Sequence, residues 1–183
     1  MKKIILFLAL AMTLGSAECF SATPRHKTAR KSSTTAVTAT PALTSLPDGF
    51  DINTILGRES FGDYSYLVLN KNIGKSLLAY GFKHTGNTRE KIFLSSEDDT
   101  PTSVAAKIYS QGGISITVAG TSDVCRISLK FPNSQTLNQF IDSAVKYGYD
   151  KRYTEGGTAI YMLEDCNIEM KVKGMKITFQ PAS

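Results

Sequence analysis

The chain of 183 residues has no tryptophan, only three cysteines and only two histidines. Three cysteines are too few for a disulfide-dense mini-scaffold. Together with two histidines they do not supply the clustered four-ligand set of a Cys/His zinc site, so no metal and no cofactor is expected. The sequence contains no GxSxG, no Walker loop and no HExxH, and its glycines lack phosphate-cradling spacing. Past the N-terminus no apolar run approaches the roughly 20 residues that a membrane-spanning helix needs. These absences lower the expectation of an enzyme and exclude a helical membrane protein, but they name no activity.

The N-terminus sets the expected compartment. Met1-Lys2-Lys3 is a basic start, and residues 4–14 are eleven positions without a charge. Gly15-Ser16-Ala17 then supplies small residues where a signal peptidase cuts. The pattern predicts a secretory signal peptide over 1–17, with cleavage as late as residue 22 as the alternative. Export to a periplasmic or extracellular location follows. Cys19 would be the site of a lipoprotein anchor, but Glu18 stands where such sites carry a small residue, which argues against anchoring.

Residues 18–47 read as a disordered linker, because their Ser, Thr, Ala and Pro bury too little apolar surface to offset the entropy of ordering them. The linker also holds Arg25, Lys27, Arg30 and Lys31, with Glu18 as its single acid. The formal charge of +5 therefore belongs to the ends of the chain. Residues 48–183 carry fifteen basic and fifteen acidic side chains and are formally neutral. A pI near 9.1 suggests nucleic acid at first sight. The location of the charge and the expected export remove that reading, and no nucleic-acid partner is expected.

Residues 48–183 are predicted to form a single α+β domain of two repeats, about 60–120 and 123–181. Leu77-Leu78-Ala79-Tyr80-Gly81-Phe82-Lys83 parallels Ala144-Val145-Lys146-Tyr147-Gly148-Tyr149-Asp150 at an offset of 67. Further on, Lys91-Ile92-Phe93-Leu94 parallels Ala159-Ile160-Tyr161-Met162, and Gly113-Ile114-Ser115-Ile116-Thr117 parallels Gly174-Met175-Lys176-Ile177-Thr178. Leu137, Phe140, Ile141, Ala144 and Val145 fall on one helical stripe, with Ser134 as the expected N-cap and Gly148 as the closing glycine. Residues 70–80 give a shorter helix with Ile73, Leu77 and Leu78 on its apolar side, closed by Gly81.

Period-two alternation marks strands at 114–118, 124–131, 167–173 and 175–179, one face apolar and one wet. Gly112-Gly113, Gly156-Gly157 and Lys173-Gly174 fit hairpin turns. The predicted fold is an antiparallel sheet from two tandem β-α-β-β-β(-β) repeats, with two helices packed on one face. This arrangement resembles the β-lactamase-inhibitor protein architecture, a likeness of topology that rests on no sequence motif. Cys125 and Cys166 both project to apolar strand faces. In an exported protein they form a candidate disulfide, with two buried free thiols as the alternative.

Candidate sites are few. His84 is the domain's single histidine and lies in a Lys-His-Thr-Gly stretch read as a surface turn. Glu97-Asp98-Asp99 lacks the spaced ligands of a calcium loop. The wet sheet face is more informative. Alternation assigns to it Lys91, Phe93, Lys107, Tyr109, Arg126, Lys130, Tyr161, Lys171, Lys173 and Lys176, with Glu169 as the one acid. A basic face carrying aromatics suits an acidic protein, an anionic glycan or lipid headgroups. Three functions are thus expected in order: an exported non-enzymatic binding or interaction module of the cell envelope, a structural or accessory envelope protein tethered by its N-terminal tail, and a small hydrolase with an unrecognised site.

Overall fold

The computed structural model describes residues 45–93, 100–120, 123–164 and 166–182. The expected signal peptide, Cys19, the basic residues expected to lie in a linker and the Glu97-Asp98-Asp99 triplet lie outside the described residues. Leu46, assigned to the linker by composition, packs against the core, and its N–H donates to Gln139 Oε1 at 3.1 Å.

Helix α1 (Ile52–Ile55) is a single turn, capped by the Asp51 carboxylate accepting from Asn53 N at 2.8 Å. Strands β1 (Leu56–Phe61) and β2 (Tyr64–Leu69) form a hairpin about Gly62 and Asp63, with Gly62 at φ 59°. Helix α2 (Ile73–Ala79) buries Ile73 and Leu77 but leaves Leu78 exposed. Helix α3 (Ser134–Tyr147) buries Leu137, Phe140 and Ala144. Its N-cap is Asn133, whose side chain accepts from Thr136 N at 2.9 Å; Ser134 is the first helical residue.

Helices α2 and α3 end alike. Gly81 and Gly148 take positive φ, at 86° and 118°, which a residue with a Cβ resists. The next N–H then reaches back into the last turn, Phe82 to Leu77 O and Tyr149 to Ala144 O, each at 3.0 Å. Phe82 and Tyr149 are thereby swung into the core, where both are buried.

Eight further strands follow: β3 (Lys83–Ile92), β4 (Thr102–Gln111), β5 (Ile114–Ala119), β6 (Arg126–Lys130), β7 (Asp150–Glu155), β8 (Thr158–Met162), β9 (Ile168–Lys173) and β10 (Lys176–Pro181). They form one antiparallel sheet in the order β3-β4-β5-β6-β10-β9-β8-β7. The fold is α+β, with three helices, this sheet and the small β1-β2 sheet among the described residues.

Each long helix is followed by a four-strand meander, and the meanders meet where β6 pairs with β10. The opening strand of the first half, β2, pairs with β1 outside the large sheet. The downstream sequence parallels do not map onto equivalent strands. Lys91-Ile92 closes β3 whereas residues 159–162 lie in β8, and residues 114–117 lie in β5 whereas residues 176–178 lie in β10. The cause is arm length. Strands β3 and β4 have ten residues each, β7 and β8 six and five, so a constant offset cannot persist past the first hairpin.

Register fixes the two faces. Tyr109, Ile116, Leu129, Ile177 and Val172 lie directly opposite one another across five strands. The neighbouring row on that face is Val118, Ile127, Phe179 and Met170. These side chains join Ile52, Ile73, Leu77, Leu137, Phe140 and Ala144 of the helices in one hydrophobic cluster. The positions between them form the outer face.

Candidate functional site

One end of the outer face carries a row of lysines. Lys83 is opposite Ser110, Ser110 opposite Ser115, and Ser115 opposite Lys130. Lys130 is opposite Lys176, and Lys176 is opposite Lys173. All four lysines are exposed, and none belongs to the ion pairs among the described residues. Directly opposed residues have Cα atoms about 4.5–5.5 Å apart, and like charges in that relation repel. Strands β6, β10 and β9 thus hold three like charges side by side with no acid interleaved. Glu155, on the edge strand β7, is the acid at this end of the face.

The other end of the same face is paired. Arg126 Nη1 lies 3.9 Å from Glu90 Oε2 and donates to Lys91 O at 3.3 Å. Glu169 is 4% exposed, accepts from Gln180 Nε2 at 2.8 Å and pairs with Lys171 Nζ at 2.5 Å. Charge here is consumed within the fold.

The structure divides the ten residues that alternation grouped. Arg126, Lys130, Lys171, Lys173 and Lys176 share the outer face. Lys107 is opposite Val118 and Tyr109 opposite Ile116, so both belong to the helix-side face. Tyr109 is buried in the core. Its hydroxyl lies where a Cβ on Gly74 would come within 2.6 Å, so the missing side chain of Gly74 makes the room for it beneath α2. Tyr161 is opposite Met170 and packs half-buried against the core. Lys91 also falls on the helix-side parity of β3, and Phe93 follows the end of that strand, exposed. No aromatic residue of the expected set accompanies the lysine row.

Cys125 and Cys166 are free. Strand β10 lies between β6, which follows Cys125, and β9, which follows Cys166. The strands that follow the two cysteines are thus two interstrand spacings, about 9.6 Å, apart, more than the Cα reach of a disulfide. Cys125 Sγ donates instead to Asp123 O at 3.3 Å. Burial, and then the Asp123 carboxylate, push its thiol above the ordinary range, which disfavours the reactive thiolate. His84 is exposed, with Nε2 3.2 Å from Asn87 Oδ1 and its ring 5.5 Å from that of Tyr109.

Alternation did not reveal a second surface, on the β1-β2 hairpin. Phe61 and Tyr64 are directly opposed across the turn and are 80% and 79% exposed. Tyr66, two residues on, shares their face and is also exposed. The signal was available, since Gly62-Asp63 between two aromatics is a two-residue hairpin loop. At the hairpin's base an apolar groove of about 330 Å³ is walled by Leu67, Leu69, Val124 and Ile168. Lys71 at its rim pairs with Glu59 at 2.7 Å and Asp123 at 3.4 Å. The bond from Lys71 holds the Glu59 carboxyl below its ordinary range. No group of three or more His, Cys, Asp or Glu suited to a metal occurs among the described residues.

These features define an α+β protein of helix-and-meander halves with one unpaired basic edge and one aromatic hairpin. No family model, no curated protein and no solved structure matches the chain.

Proposed function

We propose that this chain is an exported, non-enzymatic binding module of the cell envelope that takes an anionic ligand along the Lys83–Lys130–Lys176–Lys173 row. One observation carries the reading: Lys130, Lys176 and Lys173 are neighbours on adjacent strands with no internal counter-charge among the described residues. A wet strand face tolerates scattered lysines freely, but two directly opposed lysine pairs cost stability that an incoming anion returns. The paired charges at the other end supply the contrast within the same sheet.

Elution from phosphocellulose tests the reading. Lys173→Gln with Lys176→Gln lowers the eluting salt concentration, while Lys107→Gln with Lys151→Gln, an equal change of charge on the helix-side face, lowers it much less. Equal losses from both pairs would sink the proposal. The hairpin favours a second reading, a protein partner at Phe61, Tyr64 and Tyr66, because interface cores are enriched in exposed aromatics of this kind.

A further inference from the structure

We infer that the anion met by the lysine row is a lipid membrane surface carrying acidic headgroups. The inference rests on the anion-binding reading and adds the identity of the surface. Three features of this end of the sheet support it.

The first is shape. The row crosses six adjacent strands, so Lys83 and Lys173 stand about 24 Å apart at five interstrand spacings. An array of that length meets many headgroups more readily than one compact anion. The turns beyond the row are low. Gly112-Gly113 joins β4 to β5, and Gly156-Gly157 joins β7 to β8. Neither turn has a side chain to hold a flat surface away from the lysines. The apolar groove at the base of the hairpin, which would suit a small ligand, lies at the opposite strand ends, against Asn167 and Pro181.

The second is an exposed apolar residue in the turn that joins two of the lysines. Met175 occupies the β9-β10 turn between Lys173 and Lys176 and is 41% exposed, with its backbone oxygen fixed by Phe131 N at 2.9 Å. An exposed methionine flanked by lysines adds nothing to a soluble polyanion. It does add to a lipid interface, where apolar side chains sink beneath headgroups that lysines contact.

The third is the range of the field. Residues 48–183 are formally neutral, yet charges act locally, because screening at physiological salt limits them to about 8 Å. Arg126 and Lys130 are four residues apart on β6, about 13 Å along the strand. A surface at the lysine end therefore meets the row with little opposition from the acids at the far end.

Co-sedimentation of the full chain with phosphatidylcholine–phosphatidylglycerol vesicles tests this, with pure phosphatidylcholine vesicles and soluble inorganic polyphosphate as parallel arms. The wild-type chain partitions onto the acidic vesicles and far less onto the neutral ones. Each single Lys→Gln at 130, 173 or 176 lowers partitioning about five-fold. The triple variant retains only what the rest of the chain contributes, and Lys91→Gln with Lys107→Gln and Lys151→Gln matches wild type. Met175→Ser weakens vesicle binding and leaves polyphosphate binding unchanged. Row-dependent binding of polyphosphate without row-dependent vesicle binding overturns the lipid inference and leaves the anion reading standing. Loss of row dependence in both arms overturns both. Circular dichroism of each variant separates lost binding from lost folding.

Discussion

The two ends of the outer sheet face are built from the same residue types and treat charge in opposite ways. At one end Arg126 meets Glu90, and Glu169 is enclosed by Lys171 and Gln180. At the other, Lys130, Lys176 and Lys173 face one another with no counter-charge among the described residues. Each meander ends at the β6–β10 seam, so both ends of the face are built on the same pair of central strands. The difference shows that the sheet can pair its charges and leaves one set open. A paired charge belongs to the fold, and an open set is free for a ligand.

Substitutions should separate these roles, and the largest effects fall inside the fold. Gly74→Ala drives a methyl group against Tyr109 Oη and should destabilise by about 1–3 kcal/mol in chemical denaturation. That result would confirm that Tyr109 belongs to the core and takes no part in docking. Glu169→Ala, at the paired end, strips Lys171 and Gln180 of their partner and should cost about 1–2 kcal/mol. Lys176→Gln, at the open end, should go the other way. It relieves two like-charge contacts and should stabilise the ligand-free chain by about 0.5 kcal/mol, less in high salt. A destabilised Lys176→Gln variant would erase the contrast between the ends. Phe61→Ser with Tyr64→Ser should change stability by less than about 0.5 kcal/mol, since both rings are exposed.

The sequence was most informative where alternation was clean. Strands β6, β9 and β10 place apolar residues on one parity and polar ones on the other. Arg126, Lys130, Lys171, Lys173 and Lys176 could therefore be assigned to the outer face from pattern alone. Strands β4 and β8 carry apolar residues on both parities, as in Ala106-Lys107-Ile108-Tyr109 and Ala159-Ile160-Tyr161-Met162. Period two then reveals two faces without saying which one meets the helices. Packing settled it, through Gly74 of α2 for Tyr109 and through Met170 for Tyr161.

The helix ends were legible because a left-handed glycine followed by an aromatic is a local signal, present at Gly81-Phe82 and Gly148-Tyr149. The separation of Cys125 from Cys166 was not legible. It depends on β10 lying between β6 and β9, and β10 is the last strand of the chain. The lysine row was hidden for the same reason. Its members come from four strands, and only the registers bring Lys130, Lys176 and Lys173 side by side.

The central claim is that the open lysines form a ligand site and are not incidental surface charge. Thermal unfolding of the wild-type chain and of Lys130→Gln with Lys176→Gln, each with and without inorganic polyphosphate, tests it most directly, because a ligand that binds the native state raises the midpoint. The account predicts a clear rise for the wild-type chain and almost none for the variant, whose ligand-free midpoint is the higher of the two. Equal rises in both chains, or no rise in either, would contradict it.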